Sequence, residues 1–162
     1  VNGFIPDAPK TIAGNVPYFE DSQKAKIAGR GTEKSIAQLQ REIIDLLTRL
    51  GAHSITFVSG VYPAQTKRYG FQVLFVYGSL PGRIDCAALP MRSEAPKKKD
   101  RAQAQALYLL RLELEAQSNA WVYKPGAVPL VPYLIGAGNK TVTEALVETK
   151  SLPVMNVAGY LP

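Results

Sequence analysis

Between Thr32 and Leu50 apolar residues recur at spacings of three and four: Ile36, Leu39, Ile43, Leu47 and Leu50, with Ile44 and Leu46 widening the stripe. Lys34, Gln38, Arg41, Asp45 and Arg49 fall largely elsewhere, so the period predicts an amphipathic helix over 32–50. Thr32 can cap its first turn, and Gly51 can take the left-handed conformation that ends it. The pattern then changes to alternation. Ser54–Ser59, Tyr69–Tyr77 and Arg83–Leu89 are rich in β-branched and aromatic residues and predict three strands. In the middle one Tyr69, Phe71, Val73, Phe75 and Tyr77 share a face, while Leu74 and Val76 make the opposite face partly apolar. A loop at 60–68 and a glycine-bounded reversal at 78–82 join the three. Such short connections favour an antiparallel meander.

Pro90 ends the sheet, and 91–99 reads as a polar, basic connection. A second helix follows over 100–117. Leu107, Leu110 and Leu114 make one stripe, and Leu109 and Leu112 broaden it, which predicts a helix held between partners. Residues 121–138 read as irregular, with Pro125, Pro129 and Pro132 keeping the chain extended. Thr141 and Glu144 match a capping box at the start of a short helix to about Lys150. Before all of these, residues 1–31 show no sustained period and carry Pro6, Pro9 and Pro17. They read as an extended N-terminal arm whose apolar points, Phe4–Ile5, Val16 and Tyr18–Phe19, dock on this domain or on a neighbouring subunit. The expected fold is therefore one α+β domain over 32–162: a three-stranded antiparallel meander packed with two long helices and a short C-terminal one, preceded by the arm.

Composition narrows the class. The chain has 162 residues, 46% hydrophobic and 20% charged, which excludes wholesale disorder and fits a single domain. Its one cysteine, Cys86, cannot close an intramolecular disulfide. No apolar run is long enough to span a bilayer, and the first twenty residues show no apolar signal-peptide region, so no membrane association and a cytoplasmic location are expected. Charge changes the picture more. The net charge is +6, yet residues 1–60 hold seven basic and six acidic side chains, and 102–162 hold four of each. The stretch 61–101 holds eight basic residues against Asp85, Glu94 and Asp100, a balance of +5. Charge so concentrated makes a local field that attracts polyanions.

Catalytic chemistry does not assemble. His53 is the single histidine, which excludes a His-based triad and a multi-His metal site within one chain. Cys86, mid-strand, reads as a buried thiol. Gly29–Arg30–Gly31 precedes a helix but lacks the Lys-Ser/Thr ending of a phosphate-binding loop, and the acidic residues do not converge. No catalytic residue, no cofactor and no metal ligand is expected. The candidate nucleic-acid-binding residues are Lys67, Arg68, Tyr69, Tyr77, Arg83, Arg92, Lys97, Lys98, Lys99 and Arg101. The basic ones would track phosphates and the tyrosines would stack on bases. Each has a plainer alternative: the aromatic face serves as the core beneath the helices, and the lysine triplet is a solvated loop.

Several short motifs carry a resemblance. Glu33–Lys34–Ser35 leading into the Leu46–Leu47…Gly51–Ala52 turn, Arg83–Ile84…Leu89–Pro90 closing the third strand, Pro132–Tyr133–Leu134 and the Lys140-to-Glu144 run together resemble a group of small uncharacterised α+β proteins of phages and mobile elements. The similarity spans about 32–148. Asn139 stands where that group has Gly, and Tyr108 where it often has Trp. The resemblance implies nucleic-acid handling or a role within a phage or defence assembly. Taken with the localised charge and the aromatic strand, the expected function is a DNA- or RNA-binding, non-catalytic subunit of a phage or mobile-element nucleoprotein assembly. The other expectation is a structural or assembly protein that self-associates, or joins other subunits, through its N-terminal arm.

Overall fold

Leu39, Ile43 and Leu47 recur on one side of helix α1 (Ile36–Arg49) and are fully buried, so the helix lies on something apolar along its whole length. That surface is a sheet of β1 (Ala52–Tyr62), β2 (Arg68–Tyr77) and β3 (Leu80–Ala87), antiparallel throughout and in the order β1–β2–β3. Helix α2 (Pro96–Asn119) packs beside α1 on the same face, and a short helix α3 (Val142–Glu148) follows a run of 3-10 turns. The computed structural model describes residues 16–63 and 66–149, and its architecture is α+β.

The central strand explains the layering. Phe71, Val73 and Phe75 are buried and face the helices, with Phe57 meeting Phe71 edge-on at 6.4 Å. Ile84 and Cys86 of β3 complete that face, and burial pushes the Cys86 thiol up to about 12. The aromatic face of β2 is thus the core. Tyr69 and Tyr77, at its two ends, are half-buried.

Boundaries differ from the sequence pattern in ways that have local causes. The first helix begins at Ile36 rather than Thr32, because Ser35 is extended and its hydroxyl accepts from Gln38 N–H at 3.1 Å. Thr32 spends its hydroxyl upstream, on Lys34 N–H. At the other end Gly51 has φ +103°, the left-handed turn expected there. Strand β1 runs on to Tyr62, with Gly60 paired to Gly70, so the loop before β2 is shorter than the glycine suggests. The second reversal is also tighter: Tyr77 pairs with Leu80, and Pro81 and Gly82 lie inside β3. The Pro81 carbonyl accepts from Ile135 N–H at 2.9 Å on the outer edge, so its missing N–H costs the ladder nothing. Gly82 lies beneath the Phe75 ring, where any Cβ would collide.

Helix α2 starts four residues early, at Pro96, whose fixed φ suits the first helical position. Lys97, Lys98 and Lys99 therefore stand on its first turn and not in a loop. Its burial is also uneven. Residues 102–107 are buried in succession, whereas beyond them the buried positions are Leu110 and Leu114 and Leu112 is exposed. The sandwiched half is the one built of Ala and Gln.

What covers that half is the segment before α1. Phe19 is 1% exposed, its N–H donates to Pro90 O at 2.8 Å, and the buried Gln105 amide donates to Ala28 O at 3.0 Å. Residues 16–31 thus dock on this same domain, although Phe4 and Ile5 lie outside the described residues. At the C-terminal end Thr141 and Glu144 form the expected capping box.

Candidate nucleic-acid interface

The docked N-terminal segment and the start of α2 bring cations together that are far apart in the chain. Arg30 lies over the Phe19 ring, 3.8 Å from its centroid, and borders an open groove of about 680 Å³ that Lys98 and Arg101 line from α2. Lys97 and Arg101 are exposed. Lys98 reaches Glu20 at 3.0 Å and the Ser93 hydroxyl at 2.8 Å. Burial opposes ionisation of Glu20, but its own backbone N–H, the Lys98 ammonium and the amides of Arg92 and Ser93 together hold its pKa down at about 2. Arg92 pairs with Asp21 and stacks over Tyr18, 4.9 Å from the ring centroid.

A second group adjoins it through Lys99. Two ammonium groups approach the Tyr69 ring, Lys99 at 4.5 Å and Lys67 at 5.2 Å from its centroid. Its hydroxyl donates to Glu94 at 2.9 Å, and Lys67 meets the same carboxylate at 3.3 Å. The Tyr69 hydrogen bond and Lys67 hold the Glu94 carboxyl below its ordinary range, and Lys67 is raised by its own hydrogen bonds to Tyr69 and Glu94. Around the first turn of α2 the surface therefore carries Arg30, Lys67, Arg92, Lys97, Lys98, Lys99 and Arg101 against Glu20, Asp21, Glu94 and Asp100. It remains net positive. The first turn of a long helix adds open backbone donors to that field, and no acidic residue offsets them there.

Three of the sequence candidates stand elsewhere. Arg68 is buried, and its guanidinium donates to Ala88 O at 2.7 Å and Ala87 O at 3.0 Å, tying β2 to the end of β3. Arg83 is on the face of the sheet turned away from α1 and α2, largely covered, and paired with Asp85 at 3.2 Å and with Glu144 of α3. Tyr77 closes over Gly51 at the opposite end of β2 from Tyr69, about 27 Å away at the usual rise per strand residue. The two tyrosines do not make one platform, and the Tyr69 ring already has Lys67 and Lys99 against it.

Arg30 is the residue that sequence reasoning left out of the set. Its neighbours Gly29 and Gly31 drew attention to the position, but only the docking of Phe19 carries it to α2. The single histidine, His53, is exposed and shares a 3.0 Å contact with the Ser54 hydroxyl. Among the described residues no cluster of three or more His, Cys, Asp or Glu is placed to hold a metal ion, and no helix is long and apolar enough to cross a membrane. No family model, curated protein or solved structure matches the chain.

Proposed function

We propose that this protein binds nucleic acid through the phosphate backbone, at the surface formed by the first turn of α2 and the docked 16–31 segment. It acts there as a non-catalytic subunit of a nucleoprotein assembly. The observation that carries this reading is the placement of Lys97, Lys98 and Lys99 on the first turn of α2 and Arg101 on its second, beside Arg30 from a distant part of the chain. Ammonium and guanidinium groups, with open helix donors between them, suit a row of phosphates. The contacts would be sequence-independent, because no side chain in this group is arranged for reading base edges.

Fluorescence anisotropy with labelled single- and double-stranded oligonucleotides of mixed sequence at low salt tests it. Wild-type protein should bind, and Lys97→Ala with Lys99→Ala and Arg101→Ala should bind at least tenfold more weakly. Lys140→Ala, beside α3, is the control and should bind as wild type. A wild type that binds neither oligonucleotide at low salt would leave the assembly role, without nucleic acid, as the account of this fold.

A further inference from the structure

The two edges of the sheet are treated differently. Along β3 the chain itself supplies a neighbour: Leu134 bridges to Gly82, and Ile135 N–H donates to Pro81 O. Along β1, among the described residues, the only strand partner is β2. An antiparallel strand turns every second pair of backbone N–H and C=O groups away from its partner. The free edge of this 11-residue strand is therefore a row of open donors and acceptors. Protecting features are few. Ala52–Tyr62 contains no Lys, Arg, Asp, Glu or Pro, and its single irregularity is confined to one end, between His53 and Thr56. Residues 58–61 are exposed on both faces of the strand, with Val58 at 45% and Val61 at 51%.

The helix above this edge continues the same character. Glu42 of α1 pairs with Arg111 of α2 at 3.0 Å, so α1 turns its Glu42 side to its neighbour helix. Helical periodicity then places Ala37, Gln40, Ile44 and Thr48 on the opposite flank, above the free edge of β1. That flank has no charge among those four, and Ile44 is 36% exposed.

We propose that a second copy of this chain pairs its β1 antiparallel with this β1, making a continuous six-stranded sheet with the two α1 helices side by side across a twofold axis. The occupant follows from three features of the surface. A backbone edge selects a strand. An uncharged strand and helix flank meet their own copy without like charges opposed, which a twofold contact requires of every residue. The basic surface lies with α2, which packs on β2 and β3, so pairing through β1 keeps both basic surfaces at the outer flanks of the dimer. The size is also adequate. A strand of about 36 Å and a sheet-plus-helix depth of ~20 Å give roughly 700 Å² per copy, close to the ~800 Å² per partner of a stable interface.

Sedimentation equilibrium of the full chain tests this independently of nucleic-acid binding. The wild type should run at twice its 17.6 kDa mass at micromolar concentrations. Val58→Lys with Val61→Lys, both at exposed positions, should return it to the single-chain mass with unchanged far-ultraviolet circular dichroism. Ile44→Arg should weaken the dimer at least tenfold. Leu80→Lys, an exposed site on β3, should leave it intact. Hydrogen exchange should slow in β1 amides on raising wild-type concentration. A wild type that stays at 17.6 kDa through the micromolar range, or a dimer untouched by the β1 lysines, overturns the proposal.

Discussion

Arg68 and Leu110 show how differently single residues declare their roles. Leu110 sits in a stripe with Leu107 and Leu114 and is buried, as its spacing suggests. Leu110→Ala should cost about 2–5 kcal/mol in denaturant unfolding, the range for emptying a packed leucine site. A loss under ~1 kcal/mol would place the residue at the surface. Arg68, next to Lys67, reads in the sequence as one more phosphate-binding cation. Its burial and its hydrogen bonds to the Ala87 and Ala88 carbonyls are set by the pairing of strands distant in sequence, which local composition does not encode. Arg68→Ala should therefore destabilise the fold by about 1.5–3 kcal/mol, the scale of hydrogen bonds from a charged group. At temperatures where the variant is folded, its oligonucleotide affinity should match the wild type. A stable variant with weakened binding would return Arg68 to the interface.

At the scale of elements, those defined by local signals were legible and those defined by docking were not. Helix α1, the three strands and the capping box of α3 follow from period and cap chemistry, to within a few residues at the ends. The start of α2 was hidden, because Pro96 and three lysines resemble a loop until proline is seen as the first helical residue. Gly78 to Gly82 resembles one wide turn, and only the Phe75 ring above Gly82 explains a glycine inside a strand. The 16–31 segment has no period because it is held at points: Phe19 in the core, Ala28 on Gln105, and Glu20 on Lys98. Glu20 provides a pH test of that docking. Its folded pKa of about 2 lies below the ordinary 4.5, so its contribution is complete above pH 4.5 and is lost as pH falls toward 2. The thermal midpoint of the wild type should exceed that of Glu20→Gln at neutral pH, and the gap should shrink across that window and close near its lower end. A gap that does not change with pH would mean that the Glu20 contacts are not ionic.

For the whole molecule, the α+β class and the location of the excess charge could be read from the chain, and the shape of the charged surface could not. Ten candidate residues in sequence become seven around the start of one helix, because Arg68 is internal, Arg83 is held by Asp85 and Glu144 on the opposite sheet face, and Tyr77 is at the far end of β2. Arg30 joins them because Phe19 and Ala28, which precede it in the docked segment, are held by Pro90 and Gln105 from a distant part of the chain. The resulting surface has cations spaced around helix donors and no free aromatic platform among the candidates, so binding should depend on phosphates and little on base identity. The most direct measurement is the salt dependence of oligonucleotide affinity for the wild type and for Lys97→Ala/Lys99→Ala/Arg101→Ala. The wild-type log–log slope should be steeply negative, and each contact removed should lessen its magnitude by about 0.7–0.9. Equal slopes for the two proteins, whatever their affinities, would contradict the assignment of phosphate contacts to the first two turns of α2.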